Sequence, residues 1–183
     1  MGLSGKRIRF RCRTVLHDAA GAGGVQTLYV SDLQYSDSIV IGRPANELYD
    51  MISDVTRMGE WSPVCRACWW DEGAGPRPGG WFTGRNETPE RTWETRCVVE
   101  VAEPAREFAF LVNRGWVRWG YTFEPTGEGT RVTESWRFLP AGQAGFRERY
   151  GADAEAQIEK RTVAAREGIP RTLAAIKVAA EAV

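Results

Sequence analysis

One carboxylate stands where the alternation of a strand calls for an apolar side chain. From Thr130 to Phe138 the residues Val132, Trp136 and Phe138 share one face, and Arg131, Thr133, Ser135 and Arg137 share the other; Glu134 falls on the apolar side. Because side chains alternate with period two, that register turns Glu134 inward unless a bulge shifts it. A buried carboxylate costs several kcal/mol unless it is paired, or else it keeps its proton with a raised pKa. Two readings stay open. Glu134 anchors a ligand hydroxyl or acts as a general base beside an aromatic wall, or it pairs with an arginine and serves only the architecture. Tyr121, on a face with Trp119 and Phe123, brings a hydroxyl that needs a partner if buried.

The aromatic supply is the second chemical signal. Eight tryptophans occur in this chain, and large flat rings either fill the space between layers or wall a pocket for a flat apolar molecule. Trp61, Trp81, Phe82, Trp93, Phe110, Trp119 and Trp136 are expected to line such a pocket, with Asn86, Arg114, Tyr121 and Glu134 as its polar members. Asn86 alternates with Phe82, and Arg114 sits in a turn at the expected mouth. If the protein is an enzyme, Glu134 is the acid or base and Tyr121 or Asn86 orients an oxygen.

Other chemistries find no support. His17 is the only histidine and lies in an atypical segment, so neither a Ser-His-Asp nor a Cys-His arrangement is expected. No dinucleotide, P-loop or HExxH motif occurs. Cys65 and Cys68 form a CxxC, but no second pair completes a zinc site. A thioredoxin-like pair opens a helix, whereas Val64 and Trp69-Trp70 suit a strand. The pair is therefore expected to be ordinary partly buried thiols, and no metal or cofactor is expected.

These side chains need elements to position them. Ser38–Ile41 reads as a strand ended by Gly42 and Pro44, and Leu48, Met51 and Ile52 fall at helical spacing just after it. Asp54 can cap a second short helix that closes at Trp61-Ser62-Pro63. Strands follow over 65–70, 81–86, 93–101, 108–112, 117–124 and 132–138, separated by glycine and proline turns. Residues 153–182 are rich in alanine, glutamate, lysine and arginine with an apolar stripe of Ile169, Leu173 and Ile176, and Gly168 and Pro170 are expected to bend or restart that helix. An open sheet with one apolar face needs a cover, and this helix is the only element long enough.

Residues 1–31, with the run Ala19-Ala20-Gly21-Ala22-Gly23-Gly24, read as a poorly ordered leader before one domain over 32–183. Twenty-four basic residues balance 24 acidic ones, which gives no electrostatic case for nucleic acid or an anionic bilayer. No apolar run reaches the length of a membrane span and no secretory signal is evident, so a soluble cytoplasmic protein is expected.

The segments "SIVIGRPANELYDMISDVTRMGEWSP", "GGWFTGRNE", "VAEPAREFAF", "WGYTFEPTGEGTRVTESW" and "GIPRTLAAIKVAAE" resemble the START/Bet v 1-like (SRPBCC) superfamily, and more closely its polyketide cyclase/dehydrase-like branch. The resemblance runs from about Ser36 to Glu181. It implies an α+β helix-grip fold: a curved antiparallel sheet wrapped around a long C-terminal helix, with two short helices after the first strand. It also implies an apolar cavity between sheet and helix. The expected function is binding of a small aromatic, polyketide-like or lipid-like molecule there; the alternative is a cyclase- or dehydratase-type enzyme using Glu134. A homodimer is left open. Because residues 1–31 lack apolar periodicity, a chain beginning near Asp32 should melt within about 4 °C of the full chain, a shift of about 1 kcal/mol, as read by thermal denaturation.

Overall fold

The computed structural model describes residues 33–182; the leader expected over 1–31 lies outside the described residues. The elements are β1 (Leu33–Ile41), α1 (Ala45–Ser53), a 3₁₀ helix (Val55–Glu60), β2 (Cys65–Trp70), β3 (Trp81–Thr88), β4 (Arg91–Glu103), β5 (Glu107–Val112), β6 (Val117–Thr126), β7 (Gly129–Phe138), α2 (Pro140–Tyr150) and α3 (Ala154–Glu181). Seven strands form one antiparallel sheet in the order β1-β7-β6-β5-β4-β3-β2. β1 and β2 thus lie at opposite edges, and α1 with the 3₁₀ helix carries the chain between them. The architecture is the curved sheet and long C-terminal helix of the helix-grip class.

Local chemistry accounts for most boundaries. Pro44 is extended at φ −62° and ψ 148° and starts α1, which buries Leu48, Tyr49 and Ile52. Asp54 Oδ1 accepts hydrogen bonds from the Thr56 N–H at 3.1 Å and the Thr56 hydroxyl at 2.6 Å, capping the 3₁₀ helix as its position predicts. Along α3 the buried residues Ile158, Thr162, Ala165, Ile169, Leu173 and Ile176 form a helical stripe. Of the bend or restart expected at Gly168 and Pro170, the restart does not occur: the helix runs unbroken through Pro170. Packing of the stripe on both sides of the proline compensates for the backbone hydrogen bond that proline cannot make. The end of α3 is tied to the end of β1: Lys177 Nζ donates to the Val40 carbonyl at 2.8 Å, Arg43 Nε to the Ala180 carbonyl at 2.9 Å, and the Gly42 N–H to Glu181 Oε1 at 2.9 Å.

Helix α2 has no counterpart in the sequence reading. Its segment carries Gly142 and Gly145, poor helix formers, and Gly142 is required because a Cβ there would stand 2.3 Å from the Trp116 carbonyl oxygen. Phe146 fixes the helix, meeting Phe138 and Trp116 edge-on with ring centroids 4.9 and 5.8 Å away.

Register in the β6–β7 hairpin decides what faces inward. Gly129 opens β7 at φ 127°, and a Cβ on it would lie 2.1 Å from the Ile41 carbonyl oxygen. Both the dihedral and the contact exclude a side chain. Gly129→Ala should therefore destabilise the fold by about 2 kcal/mol or more, visible as a lower denaturant midpoint.

Candidate functional site

The β6–β7 ladder pairs Phe123 with Val132, Tyr121 with Glu134, Trp119 with Trp136 and Val117 with Phe138 without a shift. The β1–β7 ladder is also continuous, with Asp37 opposite Glu134. No bulge turns Glu134 outward. It is 3% exposed, and Tyr121 is 5% exposed. Tyr121 Oη donates to Glu134 Oε1 at 2.9 Å, so its partner is the tyrosine and not an arginine. Glu134 Oε2 is buried and makes no hydrogen bond.

Burial disfavours the charged carboxylate and raises the Glu134 pKa to about 8; the Tyr121 hydrogen bond works in the opposite direction but is the smaller effect. Burial, followed by the nearby Glu134, holds the Tyr121 phenol well above its ordinary value. At neutral pH the site is therefore a mostly protonated acid beside a neutral phenol. Asp37, which shares this face in β1, is exposed.

Of the other expected site residues, Phe82, Phe110 and Trp136 are buried on the same face, and Trp119 packs against the core they form. Phe82 meets Phe110 edge-on at 5.1 Å, and Trp136 stacks on Phe138 at 6.1 Å. Trp61 is buried at the end of the 3₁₀ helix, with the Arg57 guanidinium 5.8 Å from its ring. Asn86 donates to the Gly84 carbonyl at 3.2 Å and Thr95 Oγ1 at 3.1 Å, so the sheet itself uses its amide. Trp93 carries the Arg91 guanidinium 4.3 Å from its ring.

Trp81 and Arg114 do not join this group. Phe82 faces the core, so its neighbour Trp81 faces the other side. There Trp81 forms an outer hollow with Arg96, Asn113 and Arg114, and the Arg96 and Arg114 guanidinium groups lie 5.2 and 5.6 Å from its ring. The alternation of β3 already carried that signal.

An open hollow of about 460 Å³ lies between α1 and the ends of β2 and β4, lined in part by Tyr49, Asp50, Ser53, Trp70, Ala102 and Pro104. Of these only Trp70, as one of the eight tryptophans, was picked out from the sequence. Trp70 touches Phe82 at 5.4 Å between ring centroids, Phe82 touches Phe110, and Tyr49 touches Phe108 at 6.5 Å. Phe108 is the cross-strand partner of Tyr121, so a relay of rings links the hollow to the buried acid. Among the described residues no group of three or more His, Cys, Asp or Glu side chains is placed to hold a metal ion, and no helix is long and apolar enough to cross a membrane.

A curved antiparallel sheet packed against a long C-terminal helix is the architecture of a START/Bet v 1-like protein. The family described as polyketide cyclase / dehydrase and lipid transport matches residues 32–167, and the chain belongs to that family. A polyketide-cyclase-like protein from Corynebacterium glutamicum, solved by solution NMR, is 55% identical over 82% of this chain and 92% of its own, with a TM-score of 0.63. The di-domain ARO/CYC StfQ of the steffimycin biosynthetic pathway has the same TM-score, 0.63, at 14% identity; the match covers 82% of this chain and 51% of StfQ. A protein from Nitrosomonas europaea gives a TM-score of 0.57 at 17% identity, over 81% of this chain and 96% of its own. At such low identities the last two share the fold. No curated protein matches the sequence.

The raised Glu134 pKa fixes the sign of a pH effect. Unfolded, the group loses its proton near the ordinary value of 4.5; folded, it keeps it up to about 8. Between those limits the native state holds more protons, so stability falls as pH rises through the window and the loss is complete above it. The whole effect is on the order of 5 kcal/mol. Denaturant unfolding at pH 5, 6.5 and 8 should show this decline in the wild type and a flatter profile in E134Q.

Proposed function

We propose that this protein binds a small apolar molecule of aromatic, polyketide-like or lipid-like character between the inner face of the sheet and α3, with Glu134 and Tyr121 gripping an oxygen of that molecule. The observation that carries the proposal is the buried Glu134 Oε2 with no hydrogen-bond partner. A buried polar atom left unpaired costs about 1–3 kcal/mol, and a ligand oxygen in its reach recovers that cost. As a protonated acid Glu134 offers a donor, which suits a carbonyl or ether oxygen as well as a hydroxyl. Family membership and the ARO/CYC neighbour support the ligand class.

The pair lies behind packed side chains, so entry requires side chains to move. The hollow between α1 and β4 is the proposed mouth, because the rings from Trp70 through Phe82 to Phe110 offer an apolar path inward. The proposal takes the cytoplasm as its setting. It excludes nucleic acid as partner, as the balanced charge supports.

A second reading is catalytic, and the Glu134 pKa near 8 favours it. A carboxyl group that titrates close to neutrality can both take and return a proton, as a cyclisation or dehydration requires, while Tyr121 holds the substrate oxygen.

E134Q keeps the shape of the side chain and removes the acid. Native mass spectrometry of the purified protein should identify a co-purifying apolar molecule, and its affinity for E134Q should change by about 1–3 kcal/mol, with the melting temperature at pH 5, where the wild-type carboxyl keeps its proton, near that of the wild type. Under the catalytic reading turnover should collapse while binding persists. A large fall in melting temperature with unchanged binding would leave Glu134 as architecture only.

A further inference from the structure

The CxxC of β2 is arranged in a way that a regular strand forbids. In an unbroken strand residues three apart face opposite sides. Here the β2–β3 ladder pairs Cys65 with Asn86 and Cys68 with Gly84, and the register shifts between Cys65 and Ala67. Asn86 and Gly84 lie two apart on β3 and share a face, so the bulge puts both thiols on that face. Cys65 Sγ and Cys68 Sγ stand 3.3 Å apart. A Cβ at Gly84 would lie 3.3 Å from Cys68 Sγ and 3.7 Å from Cys65 Sγ, so a bare backbone beside the sulfurs leaves them their space. The flanking residues alone argued for inert thiols in a plain strand; the bulge removes that argument.

We propose that Cys65 and Cys68 form a reversible thiol–disulfide centre that a small hydroperoxide oxidises. The two sulfurs need to close from 3.3 Å to about 2.0 Å, a movement that a bulge can absorb. β2 is the outermost strand at its edge of the sheet, where local opening is least costly. The thiols are 5% and 7% exposed, so the oxidant must be about the size of water, as hydrogen peroxide is.

The roles of the two thiols differ. The Cys65–Cys68 contact lowers the Cys65 pKa, while the same contact and burial raise that of Cys68. The proposal takes Cys65 as the nucleophile and Cys68 as the resolving thiol. The Cys65 thiolate attacks one peroxide oxygen; the O–O bond breaks, the leaving hydroxide takes the Cys68 proton to become water, and Cys65 becomes a sulfenic acid. The Cys68 thiolate then attacks the Cys65 sulfur. The S–O bond breaks, and the departing hydroxide is protonated to a second water. Two thiols lose two electrons and two protons, and one peroxide becomes two waters. Cys97, the other described cysteine, has its thiol pushed up to about 12 by burial and takes no part.

The proposal stands apart from the ligand reading, and its test uses the folded full chain. Arg66 separates the two cysteines, so trypsin divides them between peptides 58–66 and 67–85. After treatment with dilute hydrogen peroxide, alkylation and digestion, mass spectrometry should find these two peptides joined, and dithiothreitol should separate them. C97S should give the same joined pair. In C68S the resolving thiol is gone, and dimedone should trap Cys65 as a sulfenic acid. Free Cys65 and Cys68 after peroxide, over-oxidation of Cys65 beside a free Cys68, or a link from Cys65 to Cys97 would each overturn the proposal, as would a C68S variant that dimedone does not label.

Discussion

The unshifted ladder between β6 and β7 holds a carboxyl group in an apolar interior, and the character of the site depends on it. Cross-strand pairing sets Tyr121 beside Glu134 and leaves one hydrogen bond for two carboxyl oxygens. In water that group is an anion; here charge is disfavoured and the proton stays. The fold accepts one unsatisfied polar atom at its centre, and such atoms are rare enough in native interiors to call for a reason.

Around that pair the structure is built to fix orientation. α3 lays a stripe of apolar residues over the sheet, and its last turn is fastened to the end of β1 by Lys177, Arg43 and Glu181. α2 adds Phe146 against Phe138 and Trp116. The Phe82, Phe108 and Phe110 rings form a continuous wall that reaches Trp70 and Tyr49 at the hollow. On the proposed reading, this wall and its polar pair select a flat, mostly apolar molecule by the position of its oxygen.

Two irregularities shape the sheet. β4 shifts register between Val99 and Val101 where it pairs with β5, and β2 shifts between Cys65 and Ala67 where it pairs with β3. Bulges bend the strand that carries them and re-aim side chains. The first returns Ala102 to the inner face opposite Phe108, where it lines the hollow. The second gathers two sulfurs.

The sequence by itself determined the alternating strands, the two short helices with the Asp54 cap on the second, and the long covering helix, because periodicity and caps are local properties of the chain. It also marked Glu134 and Tyr121, since a polar residue in an apolar register is visible without coordinates. Three things were decided only by tertiary structure. α2 depends on Trp116 packing against glycines that weaken any local helix signal. The hollow at Tyr49 and Trp70 joins residues of α1 to the ends of β2 and β4, which are distant in the chain. The meeting of Cys65 with Cys68 depends on a bulge, and a bulge is set by how two strands pair, a relation that no single stretch of sequence contains.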